Sequence, residues 1–216
     1  MPRRIVEKEA QPLFNCLKKA TTGGTLDLNR VVQDWVEISA YSLALVNGAN
    51  QAKVSDFLDK ISQIQGKYSE QQLQLFSEAL TILGELHEQE IKDWLGQITS
   101  EVFLTENKDG QVFTPDYVGR LMSMIVSQGD DKKKTETVAD MCCGTGSLIL
   151  GHIANMREKN SDKKVIVTAC DLDRTALLCA FIQCGIHNIT GTFEYGNALT
   201  NEVFEVFYSA PISLSF

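Results

Sequence analysis

Along the first hundred residues, hydrophobic side chains recur every three to four positions, which places them on one face of a helix. Four segments share this spacing. The repeating positions are Leu28, Val31, Val32, Trp35 and Val36; Val54, Phe57, Leu58, Ile61 and Ile64; Leu73, Phe76, Leu80 and Leu83; and Ile91, Leu95, Ile98 and Val102. The pattern predicts an N-terminal all-helical domain, residues 1–106.

Polar and glycine positions mark where these helices begin and end. Asp27 is a predicted cap for the second helix, and Ser69 with Gln72 forms the pattern of a capping box. Gly66 closes the third helix. The first helix, predicted from Arg3 to Lys19, contains Pro12 as an interruption.

Beyond residue 106 the pattern changes to short apolar runs that alternate with helical stretches. This alternation is typical of an α/β fold with parallel strands, and we expect about four of them in residues 107–216. The runs are Val138 to Met141, Val165 to Ala169, Thr190 to Tyr195 and Val203 to Tyr208.

A glycine turn between the first of these strands and the next helix is the main candidate for chemistry. Asp140 ends the strand, and Gly144 and Gly146 follow, so the backbone can turn sharply and a ligand can approach it closely. A dinucleotide fingerprint needs a third glycine where this chain has Ile149. Asp171 follows the second strand, where related folds place an acid that binds ribose hydroxyls. Loop and acid suit a nucleoside such as S-adenosylmethionine; the alternative is an ordinary turn followed by a surface aspartate.

Composition and charge narrow the function classes. The net charge of −8 argues against a protein that grips nucleic acid through overall basicity, although a local basic face or a partner could still contact it. No cleavable apolar leader or membrane-spanning run is present, which predicts a cytoplasmic protein without a membrane role. The six cysteines lack the paired short spacings of zinc sites, so we expect no metal and interpret them as buried small hydrophobic residues.

Two motifs in order carry a family resemblance. Gly-Gln-Val-Phe-Thr-Pro at 110–115 precedes Asp-Met-Cys-Cys-Gly-Thr-Gly-Ser-Leu at 140–148, and the pair resembles N6-adenine DNA methyltransferases, especially the modification subunits of type I restriction systems. Asp93-Trp94-Leu95-Gly96 also resembles a short signature upstream in those subunits. The resemblance implies a partial Rossmann-like, S-adenosylmethionine-dependent methyltransferase fold.

The resemblance also implies a set of cofactor-binding positions. The 110–115 segment would lie against the methionine part of the cofactor, the glycine loop beneath it, and the second acid at the ribose with Leu172 beside the adenine ring. The family's aspartate at the adenine amino group is here Asn197, whose amide oxygen can still accept a hydrogen bond. The implied residues are Gln111, Phe113, Thr114, Pro115, Asp140, Cys142, Gly144, Gly146, Asp171, Leu172 and Asn197.

One segment departs from the family pattern. Where the family has Asn-Pro-Pro-Tyr or Asn-Pro-Pro-Phe after the fourth strand, this chain has Ala210-Pro211-Ile212-Ser213. In the family that tetrapeptide holds the amino group of a flipped adenine and stacks on the base. We therefore expect no methyl transfer by this chain alone.

An apolar fourth strand at the edge of a short sheet would be prone to association. We expect the tail, the helical region, a second copy of the chain or a modification-complex partner to cover it. Three hypotheses remain open: a cofactor-binding protein without activity, an active enzyme completed by a partner chain that also contacts DNA, and an interaction protein that binds no cofactor.

Overall fold

The computed structural model of the chain describes residues 6–23, 26–48, 50–103, 114, 116–126, 134–159 and 161–210. Five α-helices lead the chain: α1 (Gln11–Lys19), α2 (Leu28–Val46), α3 (Val54–Gln65), α4 (Glu70–Gln89) and α5 (Trp94–Phe103). Short 3-10 helices at Lys8–Ala10 and Gln51–Lys53 precede α1 and α3. We call α1 to α5 the helical region.

The second half alternates strands and helices. Its elements are α6 (Asp116–Val126), β1 (Thr135–Asp140), α7 (Ser147–Glu158), β2 (Lys164–Asp171), α8 (Arg174–Ile186), β3 (Thr190–Asn197) and β4 (Glu202–Ser209). The strands form one sheet in the order β1-β2-β3-β4, and β1, β2 and β3 are parallel. The α/β fold class predicted from the sequence is confirmed. The boundary predicted near residue 106 lies outside the described residues and stays a prediction.

The fourth strand runs in the opposite direction to the one predicted. β4 pairs antiparallel with β3, with Ser209 opposite Gly191 and Glu202 opposite Asn197. The reason is the length of the connection: four residues, 198–201, separate the two strands. A parallel neighbour needs a crossover of roughly a dozen residues or more, whereas a short turn closes a hairpin. The prediction of four parallel strands was therefore wrong for β4.

The helical region and the sheet share one continuous hydrophobic core. Helix α8 lies at its centre, packed against α2 and α5 on one side and the strands on the other. Four aromatic rings join the parts where β4 meets the helices: Phe207 stacks on Phe57 at 5.7 Å between centroids and also contacts Tyr41 and Phe181. The hairpin is thus anchored by its inward-facing side chains.

The outer edge of β4 is covered by the segment between α2 and α3. The backbone N–H of Tyr208 donates to Oδ1 of Asn50, and Nδ2 of Asn50 donates to the Tyr208 carbonyl. Lys53 donates to the carbonyl oxygen of Val206. Side chains thus take the place of a neighbouring strand from Val206 to Tyr208, so of the alternatives predicted it is the helical region that covers this part of the edge.

Local signals placed most helix ends correctly. Asp27 accepts from the backbone N–H of Arg30, and the capping box of Ser69 and Gln72 is formed. Pro12 differs from its prediction: it lies in the first turn of α1, where its missing N–H is tolerated, and so it begins the helix instead of interrupting it.

Two features that would bear on function are absent from the described residues. Among them, no helix has the length and apolar character needed to cross a membrane. Nor do the described ranges contain three or more His, Cys, Asp or Glu side chains grouped to hold a metal ion.

Candidate functional site

The glycine loop connects β1 to α7 and is built around two left-handed residues. Gly144 has φ +54° and Gly146 has φ +92°, conformations that side-chain-bearing residues rarely adopt. A Cβ at Gly146 would lie 3.1 Å from the Cβ of Ala180, so this glycine lets α7 and α8 approach. A Cβ at Gly144 would meet nothing within 4 Å. Gly146 therefore serves packing, and Gly144 faces open space.

The acid at the end of β2 is in direct contact with this loop. The backbone N–H of Gly144 donates to Oδ2 of Asp171 at 2.6 Å. Oδ1 of Asp171 accepts from the backbone N–H of Asp173 at 2.8 Å. Parallel strands bring both groups to the same edge of the sheet, and the half-buried carboxylate remains partly open to a ligand.

The third predicted element also reaches the loop. The hydroxyl of Ser147, the first residue of α7, donates to the carbonyl oxygen of Thr114 at 3.0 Å. Thr114 thus contacts the start of α7 and Asp171 contacts Gly144, so both lie at the loop; that the three residues bind one ligand stays a prediction. Gln111, Phe113 and Pro115 lie outside the described residues.

A small cavity lies beside the glycine loop, lined by Thr114 and Gly144 but not by Asp171. Its volume is about 80 Å³, and its lining includes Asp140, Cys142 and Thr114. Burial raises the pKa of Asp140, a hydrogen bond from the Cys142 N–H opposes that rise, and the charge of Asp171 adds to it. Neighbouring carboxylates make this end of the sheet acidic, which favours a cationic ligand. Cys142 is exposed, so its interpretation as a buried hydrophobic residue was wrong; the other five cysteines are buried.

Two further predicted residues lie beside the acid. Leu172, directly after Asp171, is 62% exposed. Asn197 ends β3, two residues beyond Tyr195, the partner of Asp171 in the sheet. The Oδ1 atom of Asn197 accepts from the backbone N–H of Leu199 at 3.0 Å, so this amide already stabilises its own turn.

The segment expected at the catalytic position begins at the wrong end of the sheet. Because β4 is antiparallel, Ala210 follows Ser209 beside Gly191, near the amino end of β3. Asp171 pairs with Tyr195, at the other end of that strand. The offset is roughly 17 Å along the strand direction. Pro211, Ile212 and Ser213 lie outside the described residues.

The sequence reasoning missed two residues that contact the loop. Asp93, which immediately precedes α5, and Gln183 of α8 both bond to Thr145, the residue between the two glycines. Gln183 could have been noticed as a polar residue in an otherwise apolar helix. Asp93 lay in a motif that was singled out, but nothing local linked it to a loop fifty residues later.

Comparison with known proteins yields a family. The model of the N-6 DNA Methylase family matches residues 83–211, more than half of the chain. The matched range includes α5, the glycine loop, the acid of β2 and the hairpin. Among curated proteins, the chain is similar to the methylase subunit of the type I restriction enzyme MjaVIII from Methanocaldococcus jannaschii, with 32% identity over 106 residues. This match covers 48% of the chain but only 17% of that subunit.

Two solved structures align with most of this chain. One, from Listeria monocytogenes, is described as a class I S-adenosylmethionine-dependent methyltransferase; it has 18% identity and a TM-score of 0.48, covering 85% of this chain and 52% of that one. The other, from Vibrio vulnificus, is described as the modification subunit of a type I restriction enzyme; it has 12% identity and a TM-score of 0.45, covering 87% and 55%. Neither similarity is close enough to decide the fold.

Proposed function

Because this chain belongs to the N-6 DNA Methylase family, we propose that it binds S-adenosylmethionine where Thr114, Gly144 and Asp171 meet. The observation that carries the proposal is the 2.6 Å bond from the Gly144 N–H to the Asp171 carboxylate. It brings the glycine loop and the acid into one site, and the family match covers both.

The donors and acceptors of the site fit this ligand. Each oxygen of Asp171 accepts one backbone N–H and keeps a second lone pair for a ribose hydroxyl. The exposed Leu172 offers an apolar surface for a base. The carboxylates of Asp140 and Asp171 attract a ligand that carries a sulfonium and an ammonium group.

The size of the cavity sets a condition on binding. Small-molecule sites usually enclose about 300 Å³ or more, whereas the cavity here measures about 80 Å³. Binding therefore has to move Thr114 away from the loop, breaking the bond from Ser147 to the Thr114 carbonyl. The same small volume is the observation that favours the second candidate, an interaction protein that binds no cofactor.

Methyl transfer is not part of the proposed function of the single chain. When bound, S-adenosylmethionine supplies an activated methyl group, and catalysis then depends on holding an acceptor amine in line with it. Ala210 carries no group that could do so, and it lies at the opposite end of the sheet from Asp171. Activity would need a partner chain that places an acceptor-binding segment beside the glycine loop and also contacts DNA.

Calorimetric titration with S-adenosylmethionine tests the proposal. We expect binding by the wild-type chain and a loss of about a hundredfold in affinity for Asp171→Ala, because bonds to a charged group are removed. Asp162→Ala is the matched control: it removes the same charge from an exposed position and should bind normally.

Three other outcomes would change the proposal. Absence of binding by the folded wild-type chain would refute it and support the interaction protein. Methyl transfer to DNA by the purified chain would refute the inactive assignment, whereas transfer that appears only after a partner subunit is added would support completion by that partner.

A further inference from the structure

A buried polar network ties the glycine loop to the helical region. The hydroxyl of Thr145 donates to Oδ2 of Asp93 at 2.5 Å. Nε2 of Gln183 donates both to Oδ1 of Asp93, at 3.0 Å, and to the carbonyl oxygen of Thr145, at 2.9 Å. All three residues are buried, at most 3% exposed. Hydrogen bonds in such surroundings are strong, and a partner left without one is costly.

The position of Asp93 is itself fixed from two sides. Its Oδ1 also accepts the backbone N–H of Gly96 at 2.8 Å, which caps the first turn of α5. Oε1 of Gln183 accepts the backbone N–H of Leu95 at 3.1 Å. A carboxylate at a helix N-terminus is also stabilised by the helix dipole. The network therefore starts from a rigid helix end.

The glycine three residues later makes this arrangement possible. A Cβ at Gly96 would lie 2.0 Å from Oδ2 of Asp93, well inside the space that the carboxylate occupies. Any larger residue would push that carboxylate away from Thr145. The spacing of Asp93 and Gly96 in the motif is thus explained by a contact with the loop.

Thr145 is the point at which the loop can be held. It lies between Gly144 and Gly146, which are both in left-handed conformations. Glycine populates positive and negative φ about equally, so neither residue by itself fixes the conformation of the loop. A side-chain tether between two such residues selects one loop conformation from several. The same loop donates the N–H that bonds to Asp171.

We propose that Asp93 is a positioning residue, which holds the glycine loop through Thr145 in the conformation that accepts the ligand. The inference rests on the proposed function and extends it: the helical region sets the shape of the site. Because coupling is reciprocal, ligand binding in turn stabilises the packing of α5 against the loop.

Variants of Thr145 test this contact. Thr145→Val keeps the shape but removes the donor, and Thr145→Ser keeps the donor. In calorimetric titrations of the full chain, we expect Thr145→Val to weaken S-adenosylmethionine binding about tenfold and Thr145→Ser to bind within about twofold of wild type. Asp93→Asn should weaken binding similarly, and combining it with Thr145→Val should add less than about threefold, because both remove the same interaction.

Hydrogen exchange gives a reading that needs no ligand. The Gly144 and Gly146 amides should exchange about tenfold faster in Thr145→Val than in Thr145→Ser, while the Phe193 amide in β3 stays unchanged. If the wild-type chain does not bind S-adenosylmethionine, the proposed function is refuted. The hydrogen-exchange rates of the loop amides then test by themselves whether Asp93 holds the loop. Unchanged exchange in Thr145→Val overturns it, as do wild-type affinity in that variant and a failure of serine to rescue binding.

Discussion

At one side of the sheet, β1 leads into a glycine loop that lines a cavity, and β2 ends in an acid bonded to that loop; at the other, β3 and β4 close into a hairpin whose side chains fill the core. In the first, which we call the glycine-loop half (residues 135–171), Gly144 faces open space and Leu172 beyond it is exposed. In the second, the hairpin half (residues 190–209), Phe193 and Phe207 are fully buried.

This difference separates the proposed ligand site from the segment that was expected to carry methyl transfer. The glycine-loop half carries Gly144 and Asp171, where we propose that the ligand binds. In the hairpin half, the strand that should lead to the catalytic tetrapeptide instead turns back and anchors the helical region through Phe207 and Asn50. The final strand thus packs into the core, while the loop side is the part to which we assign ligand binding. The four predictions that follow test this division, from the largest effect to the smallest.

The largest effect should come from the aromatic anchor of the hairpin. Phe207→Ala removes a fully buried ring that contacts Phe57, Phe181 and Tyr41. We expect the free energy of unfolding to fall by about 3–5 kcal/mol in urea denaturation. Phe204→Ala, on the same strand but 55% exposed, should cost about 1 kcal/mol or less. Equal effects would show that β4 is not part of the core.

The contact between the end of α8 and helix α4 should make the stability of the chain depend on pH. Nε2 of His187 lies 3.1 Å from Nδ1 of His87, and both rings are buried. Burial lowers the pKa of His187 to about 4, helped by the charge of Arg157. Burial also lowers the pKa of His87 to about 3, with repulsion from His187 adding to it.

The unfolded chain therefore binds more protons below pH 6.5 than the folded chain, and stability rises with pH in this range. We expect the free energy of unfolding to drop by about 3 kcal/mol from pH 7 to pH 5 through these two groups. The double variant His87→Gln, His187→Gln should lose most of that dependence in denaturation curves at the two pH values. A wild-type curve that does not change would contradict the assigned neutral pair.

The edge cover of β4 should have an intermediate effect. Asn50→Ala leaves the N–H of Tyr208 without its acceptor, whereas the Tyr208 carbonyl loses one of two side-chain amide donors and keeps that of Asn47. The free energy of unfolding should fall by about 2 kcal/mol. The adjacent Gln51 is exposed, so Gln51→Ala should change it by about 0.5 kcal/mol or less. If the free energy of unfolding falls equally in both variants, the effect comes from the turn between α2 and α3 and not from the contacts with the edge of β4.

The smallest stability effect should occur at the glycine that faces the cavity. Gly144→Ala should cost about 1 kcal/mol, because its left-handed conformation is strained for alanine but its Cβ meets nothing. Gly146→Ala should cost about 2 kcal/mol or more, since contact with Ala180 is added to the strain. Thermal unfolding measures both. Only Gly144→Ala should weaken ligand binding while the chain stays well folded.

Local signals explain which parts of the molecule could be predicted. The caps at Asp27 and Ser69, the glycine loop and the strand-ending acid are short-range patterns, and each was found where the sequence placed it. The parallel direction expected for the first three strands was extended to β4, although the four-residue connection already favoured a hairpin. The length of that connection should have outweighed the pattern of the other strands.

Other features could not have been derived from local patterns. The bond from Thr145 to Asp93 joins residues 52 positions apart, and the amide of Asn50 reaches a strand 158 positions later. Such contacts depend on how helices pack against the sheet, which periodicity alone does not specify. The motif around Asp93 marked the residue as unusual without revealing its partner.

The Asn50 amide also has a bearing on solubility. The Asn50 carboxamide presents an N–H and a C=O side by side, as a peptide unit does, so it occupies the place where a foreign β-strand would dock. Pairing with another chain, of the kind that seeds fibrils, is therefore blocked at Tyr208 by Asn50, with Asn47 donating to the same carbonyl. Overexpressed chain should remain dispersed at concentrations where the alanine variant at this position begins to precipitate.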